Sequence, residues 1–170
     1  MLVNESKVQT LVSVTISRKG VTKLHGRRNK SIEKELQTTL DNGGNVWVIG
    51  DIHGHADKLK ELLHILGYQL EDGVYQHPKD RIVLFLGDFI DRGPKIREVL
   101  HIAKNMCDSG NAMAIMGNHE FNAITFHTKN KNGFYRQHSF SKIKQHYATL
   151  DQFNKYPEEW ILFLDWFKSL

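Results

Sequence analysis

Three short apolar runs, each followed at once by a glycine and then by charged or imidazole side chains, set the rhythm of the chain. Val46-Trp47-Val48-Ile49 leads into Gly50-Asp51-Ile52-His53-Gly54, and Ile82-Val83-Leu84-Phe85-Leu86 leads into Gly87-Asp88-Phe89-Ile90-Asp91-Arg92-Gly93. The third run, Ala112-Met113-Ala114-Ile115-Met116, leads into Gly117-Asn118-His119-Glu120. Runs of this length predict strands covered on both faces, with Gly87 giving the central one a sharp turn at its end. Between them the period becomes helical. Leu59, Leu62, Leu63 and Leu66 form one stripe, closed by Gly67, and Ile96, Val99, Leu100, Ala103 and Met106 form another, with Pro94 expected at its first helical position. Residues 68–80 read as a connection with a turn at Glu71-Asp72-Gly73-Val74. The alternation β-α-β-α-β implies a mainly parallel sheet with right-handed crossovers, hence a layered α/β domain whose three strands end at one rim.

The flanks carry different patterns. In residues 1–45, Val12, Val14 and Ile16 alternate as in a strand, and Ile32, Leu36 and Leu40 lie at helical spacing, with Ser31 as cap and Asn42-Gly43-Gly44 as stop. No chemical motif appears there, and the segment reads as an N-terminal extension of unknown role. After Glu120 the sheet signal ends. Residues 121–138 are polar, with Lys129-Asn130-Lys131-Asn132-Gly133 read as an exposed loop, and Phe140, Ile143, Tyr147 and Leu150 then give a helical stripe. A last helix opens with Pro157, Glu158 and Glu159 and bears Trp160, Phe163, Leu164 and Phe167 at i, i+3, i+4, i+7. This last stripe is expected to lack a partner and to leave apolar surface exposed, lowering solubility.

Composition narrows the class. With 170 residues the chain can bury one substantial core, and no apolar run reaches the roughly 18 residues of a membrane span. Its single cysteine, Cys107, fits a reducing, cytoplasmic compartment. The net charge is +4, concentrated in Arg18, Lys19, Lys23, Arg27, Arg28 and Lys30. That cluster lacks interleaved aromatic residues for base stacking, so nucleic-acid binding is the least favoured reading.

The chemistry lies at the rim. Asp51-x-His53 puts a carboxylate and an imidazole on one short loop, donors suited to a divalent cation. Asp88 and Asn118 emerge from neighbouring strands, and a shared carboxylate can bridge two ions about 3.5–4 Å apart, as in phosphoryl transfer. Arg92 offers a fork for phosphate oxygens. His119, with Asp91 as the carboxylate holding its proton, suits a general acid for a leaving oxygen.

These three motifs, residues 50–54, 87–93 and 117–120, resemble those of the calcineurin-like metallophosphoesterases, and the Asp91-Arg92-Gly93 ending is most similar to the branch of serine/threonine protein phosphatases and symmetrical diadenosine tetraphosphatases. The resemblance implies the βαβαβ half of an αββα sandwich over residues 46–170, with a helical C-terminal insert. It also implies two divalent metal ions, the first held by Asp51, His53 and Asp88 and the second by Asp88 and Asn118. Manganese is the expected metal, with iron, zinc or nickel as alternatives. Arg92, Asn118 and His119 would bind phosphate, Asp91 and His119 would handle the leaving-group proton, and a metal-bound hydroxide would attack phosphorus. The expected substrate is phosphorylated, either a phosphoprotein or a nucleotide such as a dinucleoside polyphosphate. The family's two later histidine motifs are not present in this sequence. His127, His138 and His146 follow no strand and read as exposed or packing residues of the insert. The expectation is therefore a fold cut before those motifs, a second ion that is weak or absent, and, as the alternative to an enzyme, a catalytically impaired metal-binding fragment.

Overall fold

The computed structural model describes Val14, Thr15, Thr38 and residues 46–170. A four-stranded sheet has the order β1 (Val14–Thr15), β2 (Val46–Ile49), β5 (Ile82–Phe85), β6 (Ala112–Ala114), with β1 antiparallel and the other three parallel. The register pairs Ile49 with Phe85 and Phe85 with Ala114, so the three motif loops leave the sheet side by side. That alignment builds the rim. Val14 belongs to the strand expected from alternation, whereas Val12, Ile16, the helix around Ile32, Leu36 and Leu40, and the basic cluster lie outside the described residues; Thr38 is helical.

The crossovers are α1 (Ala56–Ile65) and α2 (Ile96–Asp108). Leu59 and Leu63 of α1 and all five predicted stripe residues of α2 are fully buried in the main core with Val83, Phe85 and Phe89. Val46, Val48, Leu84 and Met113 are buried on the sheet's other face. Both faces are thus apolar, as the uninterrupted runs require.

Several expectations are corrected. The connection 68–80 contains a hairpin, β3 (Gln69–Glu71) and β4 (Val74–Gln76), closed by Asp72-Gly73 with φ of 48° and 82°. Two successive positive φ values match the right-handed twist of the strands, which explains the Asp-Gly pair. Pro94 is not the first residue of α2. The Lys95 N–H donates to the Gly54 carbonyl, holding the chain in the loop until Ile96.

Residues 121–127, read only as polar, continue the helix α3 (Asn118–His127), followed, where the exposed loop was expected, by a small hairpin, β7 (Lys129–Asn130) and β8 (Gly133–Phe134). Its inward face carries His119 and Glu120 beside Ala123 and Phe126, so polar residues in the core hide the apolar period. Helix α4 (Phe140–Phe153) exists as expected but faces the other way. Phe140 is 83% and Tyr147 60% exposed, while His146, Thr149 and Phe153 are buried. On α5 (Pro157–Ser169) the stripe expected to be exposed is covered: Trp160, Phe163, Leu164 and Phe167 all join the main core. Helix α3 packs against α5, and α2 against α4. Among the described residues no helix is long and apolar enough to cross a membrane.

Candidate metal centre and proton-donating dyad

The rim is assembled by backbone hydrogen bonds that continue beyond the strands. The His53 N–H donates to the Asp88 carbonyl at 2.8 Å, Gly54 N–H to Phe89 at 2.7 Å, and Gly93 N–H to the His53 carbonyl at 2.8 Å. The first two loops are therefore one unit. Gly93 is required at this crossing because a Cβ there would overlap the His53 carbonyl oxygen, and at Gly87, with φ of 82°, a Cβ would overlap the Gly117 backbone. Asp51, His53, Asp88, Asp91 and Arg92 all have positive φ, and they are five of the seven described non-glycine residues that do. Such strain of about 1–3 kcal/mol per residue persists only where surrounding contacts over-determine it, and it gathers at functional sites.

Donor atoms of His53, Asp88 and His119 lie within 4.8 Å of one another. The His53 Nδ1–H donates to the Ile90 carbonyl at 2.8 Å, which fixes the ring and leaves Nε2 as its open nitrogen. Asp88, half-buried, accepts the His119 backbone N–H on Oδ1 at 3.0 Å and retains its second oxygen. An imidazole nitrogen and a carboxylate oxygen, each oriented by a hydrogen bond behind it, fit a divalent cation of borderline softness. Asp51, Arg92 and Asn118 sit at the same rim, all three exposed, and Asp51 does not belong to the cluster of imidazole and carboxylate donors. His119 does, although its sequence pattern pointed to proton transfer.

The dyad expected of His119 and Asp91 is formed. His119 Nδ1 donates to Asp91 Oδ2 at 2.6 Å, and both side chains are buried. This hydrogen bond is the largest influence on His119 and raises its pKa, against the opposing effect of burial. Burial pushes the Asp91 carboxyl up, but its bonds from His119, His146 and Thr149 outweigh that and hold it well below the usual carboxylate range.

Two residues at this centre were not anticipated as participants. His146 Nδ1 donates to Asp91 Oδ1 at 2.8 Å, and the Thr149 hydroxyl donates to the same oxygen at 2.7 Å while accepting the Asp91 N–H at 3.1 Å. Their spacing, i and i+3 on one face of α4, was the available signal, masked by the more apolar opposite face. Glu120, the last residue of the third motif, is a further participant to which the sequence pattern does not point. It is fully buried, and its carboxylate accepts the backbone N–H groups of Asp88 at 2.7 Å, Phe89 at 2.9 Å and Gly117 at 3.0 Å. Burial raises its pKa, while the bonds from the Asp88 and Phe89 N–H groups work in the other direction. His127 and His138 lie away from the cluster, His127 accepting the Trp160 indole N–H at 3.1 Å and His138 stacking on Phe126.

Residues 44–169 match the calcineurin-like phosphoesterase family. The chain is 43% identical over 72 residues to the bis(5'-nucleosyl)-tetraphosphatase PrpE [asymmetrical] of Halalkalibacterium halodurans, a stretch covering 42% of this chain and 29% of that protein. The Oceanobacillus iheyensis protein of the same name is 40% identical over 84 residues, covering 49% of this chain and 34% of the relative. A symmetrical bis(5'-nucleosyl)-tetraphosphatase of Wigglesworthia glossinidia brevipalpis is 33% identical over 85 residues, 50% of this chain and 28% of the relative. The matched stretches thus span about a third of these relatives or less. Family membership implies dependence on divalent metal, in keeping with the rim's donor set, and because the family match takes in the three parallel strands, the rim and both C-terminal helices, the chain belongs to the calcineurin-like phosphoesterases.

Proposed function

We propose that the rim serves a metal-dependent hydrolase that cleaves the phosphoanhydride of a dinucleoside polyphosphate. The observation that carries this reading is the convergence of His53, Asp88 and His119 within 4.8 Å, with His119 backed by Asp91. His53 and Asp88, joined by Asp51, hold the first divalent ion, and Asp88 with Asn118 the second, more weakly because fewer ligands are assigned to it. Manganese is the favoured ion, with iron, zinc or nickel compatible with the same mixed oxygen and nitrogen donors. Bound there, such ions activate water and neutralise charge developing on phosphoryl oxygens.

The protein's own groups do the rest. Arg92, exposed at the loop's end, pairs with non-reacting phosphate oxygens through its planar fork, and the Asn118 amide adds a donor. His119 presents Nε2–H to the leaving oxygen while Asp91 retains the Nδ1–H, so the departing nucleotide leaves protonated. A cytoplasmic setting accords with the lone Cys107, half-buried as a free thiol.

The nucleotide is preferred over a phosphoprotein because the relatives named above are bis(5'-nucleosyl)-tetraphosphatases. Incubating the chain with manganese and either diadenosine tetraphosphate or a phosphoserine peptide separates the two. Mononucleotide products that vanish with chelator are expected. Release of phosphate from the peptide with the dinucleotide left intact would reassign the substrate.

A further inference from the structure

Asp91 is held at both oxygens, and only one of its partners belongs to the motifs at the rim. Oδ2 takes His119 Nδ1–H, whereas Oδ1 takes two donors from α4, His146 Nδ1–H and the Thr149 hydroxyl. The grip extends to the backbone, since the Thr149 oxygen also accepts the Asp91 N–H. All three side chains are buried, with Thr149 fully so. Asp91 itself sits at φ 68°, a conformation that would relax without such contacts. His146 is backed by a polar seam: its Nε2 lies 3.3 Å from His127 Nε2, the nitrogen that accepts the Trp160 indole N–H, so the rings meet by packing. A chain of polar contacts therefore runs from α5 through α3 and α4 to the rim.

We propose that His146 and Thr149 are positioning residues for the leaving-group proton: by occupying Asp91 Oδ1 they fix the carboxylate plane and commit Oδ2 to His119. This rests on the phosphoesterase reading. In the step concerned, water adds to phosphorus and releases a proton to solvent. The bond to the leaving oxygen breaks with its electron pair on that oxygen, and His119 Nε2 supplies the proton that it takes. Asp91 keeps the Nδ1–H throughout. A carboxylate free to rotate would let the imidazole swing, misaligning Nε2, and a small misplacement of an acid is felt most where the leaving oxygen is most basic.

The test pairs a poor leaving group with a good one, phenyl phosphate with p-nitrophenyl phosphate, in manganese. His146→Phe keeps an aromatic ring and removes the donor; His146→Asn keeps a donor where Nδ1 stood. The expected result is about a tenfold loss of kcat on phenyl phosphate for His146→Phe, no more than about threefold on p-nitrophenyl phosphate, little change in KM, and recovery of the poor-leaving-group rate in His146→Asn. Thr149→Val should repeat the bias, covering the case that His146→Phe does not fold. Equal losses on both esters, or no rescue by Asn, would overturn the proposal. A second measurement does not need turnover. Proton NMR should show two downfield imidazole N–H signals from the bonds to Asp91, and removing the His146 signal should move the His119 signal upfield. If the His119 signal stays put, His146 does not position it. If the wild type hydrolyses neither ester nor diadenosine tetraphosphate while that signal moves as expected, the phosphoesterase reading fails and the coupling through Asp91 stands.

Discussion

Three backbone N–H groups end on the Glu120 carboxylate, and two of them belong to the loop that carries Asp88. A carboxylate suits this place because both oxygens only accept. In Glu120→Gln one terminal atom becomes an NH2 group facing N–H donors, leaving at least one buried amide unpaired at about 1–3 kcal/mol. Thermal unfolding should show a Tm several degrees lower; an unchanged Tm would mean that the clamp does not hold the loop. Metal binding belongs to the same scale. Titration of manganese followed by electron paramagnetic resonance should show one ion bound tightly and a second weakly, and His53→Ala should lose the tight one. Identical binding in the variant would remove His53 from the ligand set. The residue types at the rim were legible because they follow strands whose ends had to coincide. What could not be read was how Asp91 and Glu120 are shared, since a carboxylate's partners depend on which helix face turns inward.

That question is decided at the level of elements. Helices α1, α2 and α5 bury the stripes their sequences display, while α3 and α4 bury His119, Glu120, His146 and Thr149 and look polar or misdirected as a result. The Asp72-Gly73 hairpin carried its turn signal openly but flanked it with exposed or half-buried strands too short to show alternation. Phe163, only 3% exposed, should behave as an ordinary core residue: Phe163→Ala should lower stability in urea by about 3–5 kcal/mol. A loss under about 1 kcal/mol would show that α5 contributes little to the core.

The seam where α3, α4 and α5 meet also predicts a pH effect. Burial, and then the neighbouring His146 and His138, push His127 down to about 4 from an ordinary 6.5. Between those values the unfolded chain takes a proton that the folded chain refuses. His127 therefore stabilises the fold fully above 6.5, and its contribution is lost as pH falls towards 4. At about 1.4 kcal/mol per pH unit this reaches at most about 2 kcal/mol between roughly pH 7 and pH 5, less because the ring is partly exposed. His119 is shifted in the opposite sense, so the effect is read as a difference. His127→Gln, which can still accept from Trp160, should lose less stability on acidification than the wild type. Equal losses would place the titration elsewhere.

For the molecule as a whole, a parallel sheet with matched strand ends explains why residues as far apart as His53, Asp88 and His119 meet, and why residues 44–169 carry the family's signature. The helices beyond the rim are part of that body. The aromatic stripe of α5 closes the core, and α4 reaches back to Asp91. The central claim is that this rim binds divalent metal and through it hydrolyses bonds to phosphorus, the anhydride of a dinucleotide and, as a simple probe, an activated ester. Its most direct test is the rate of p-nitrophenyl phosphate hydrolysis with manganese, with chelator, and in Asp88→Asn. The account predicts turnover that requires manganese and falls at least a hundredfold in the variant, on the order of 3 kcal/mol of transition-state stabilisation. A rate in Asp88→Asn equal to that of the wild type, or one indifferent to chelator, would contradict it.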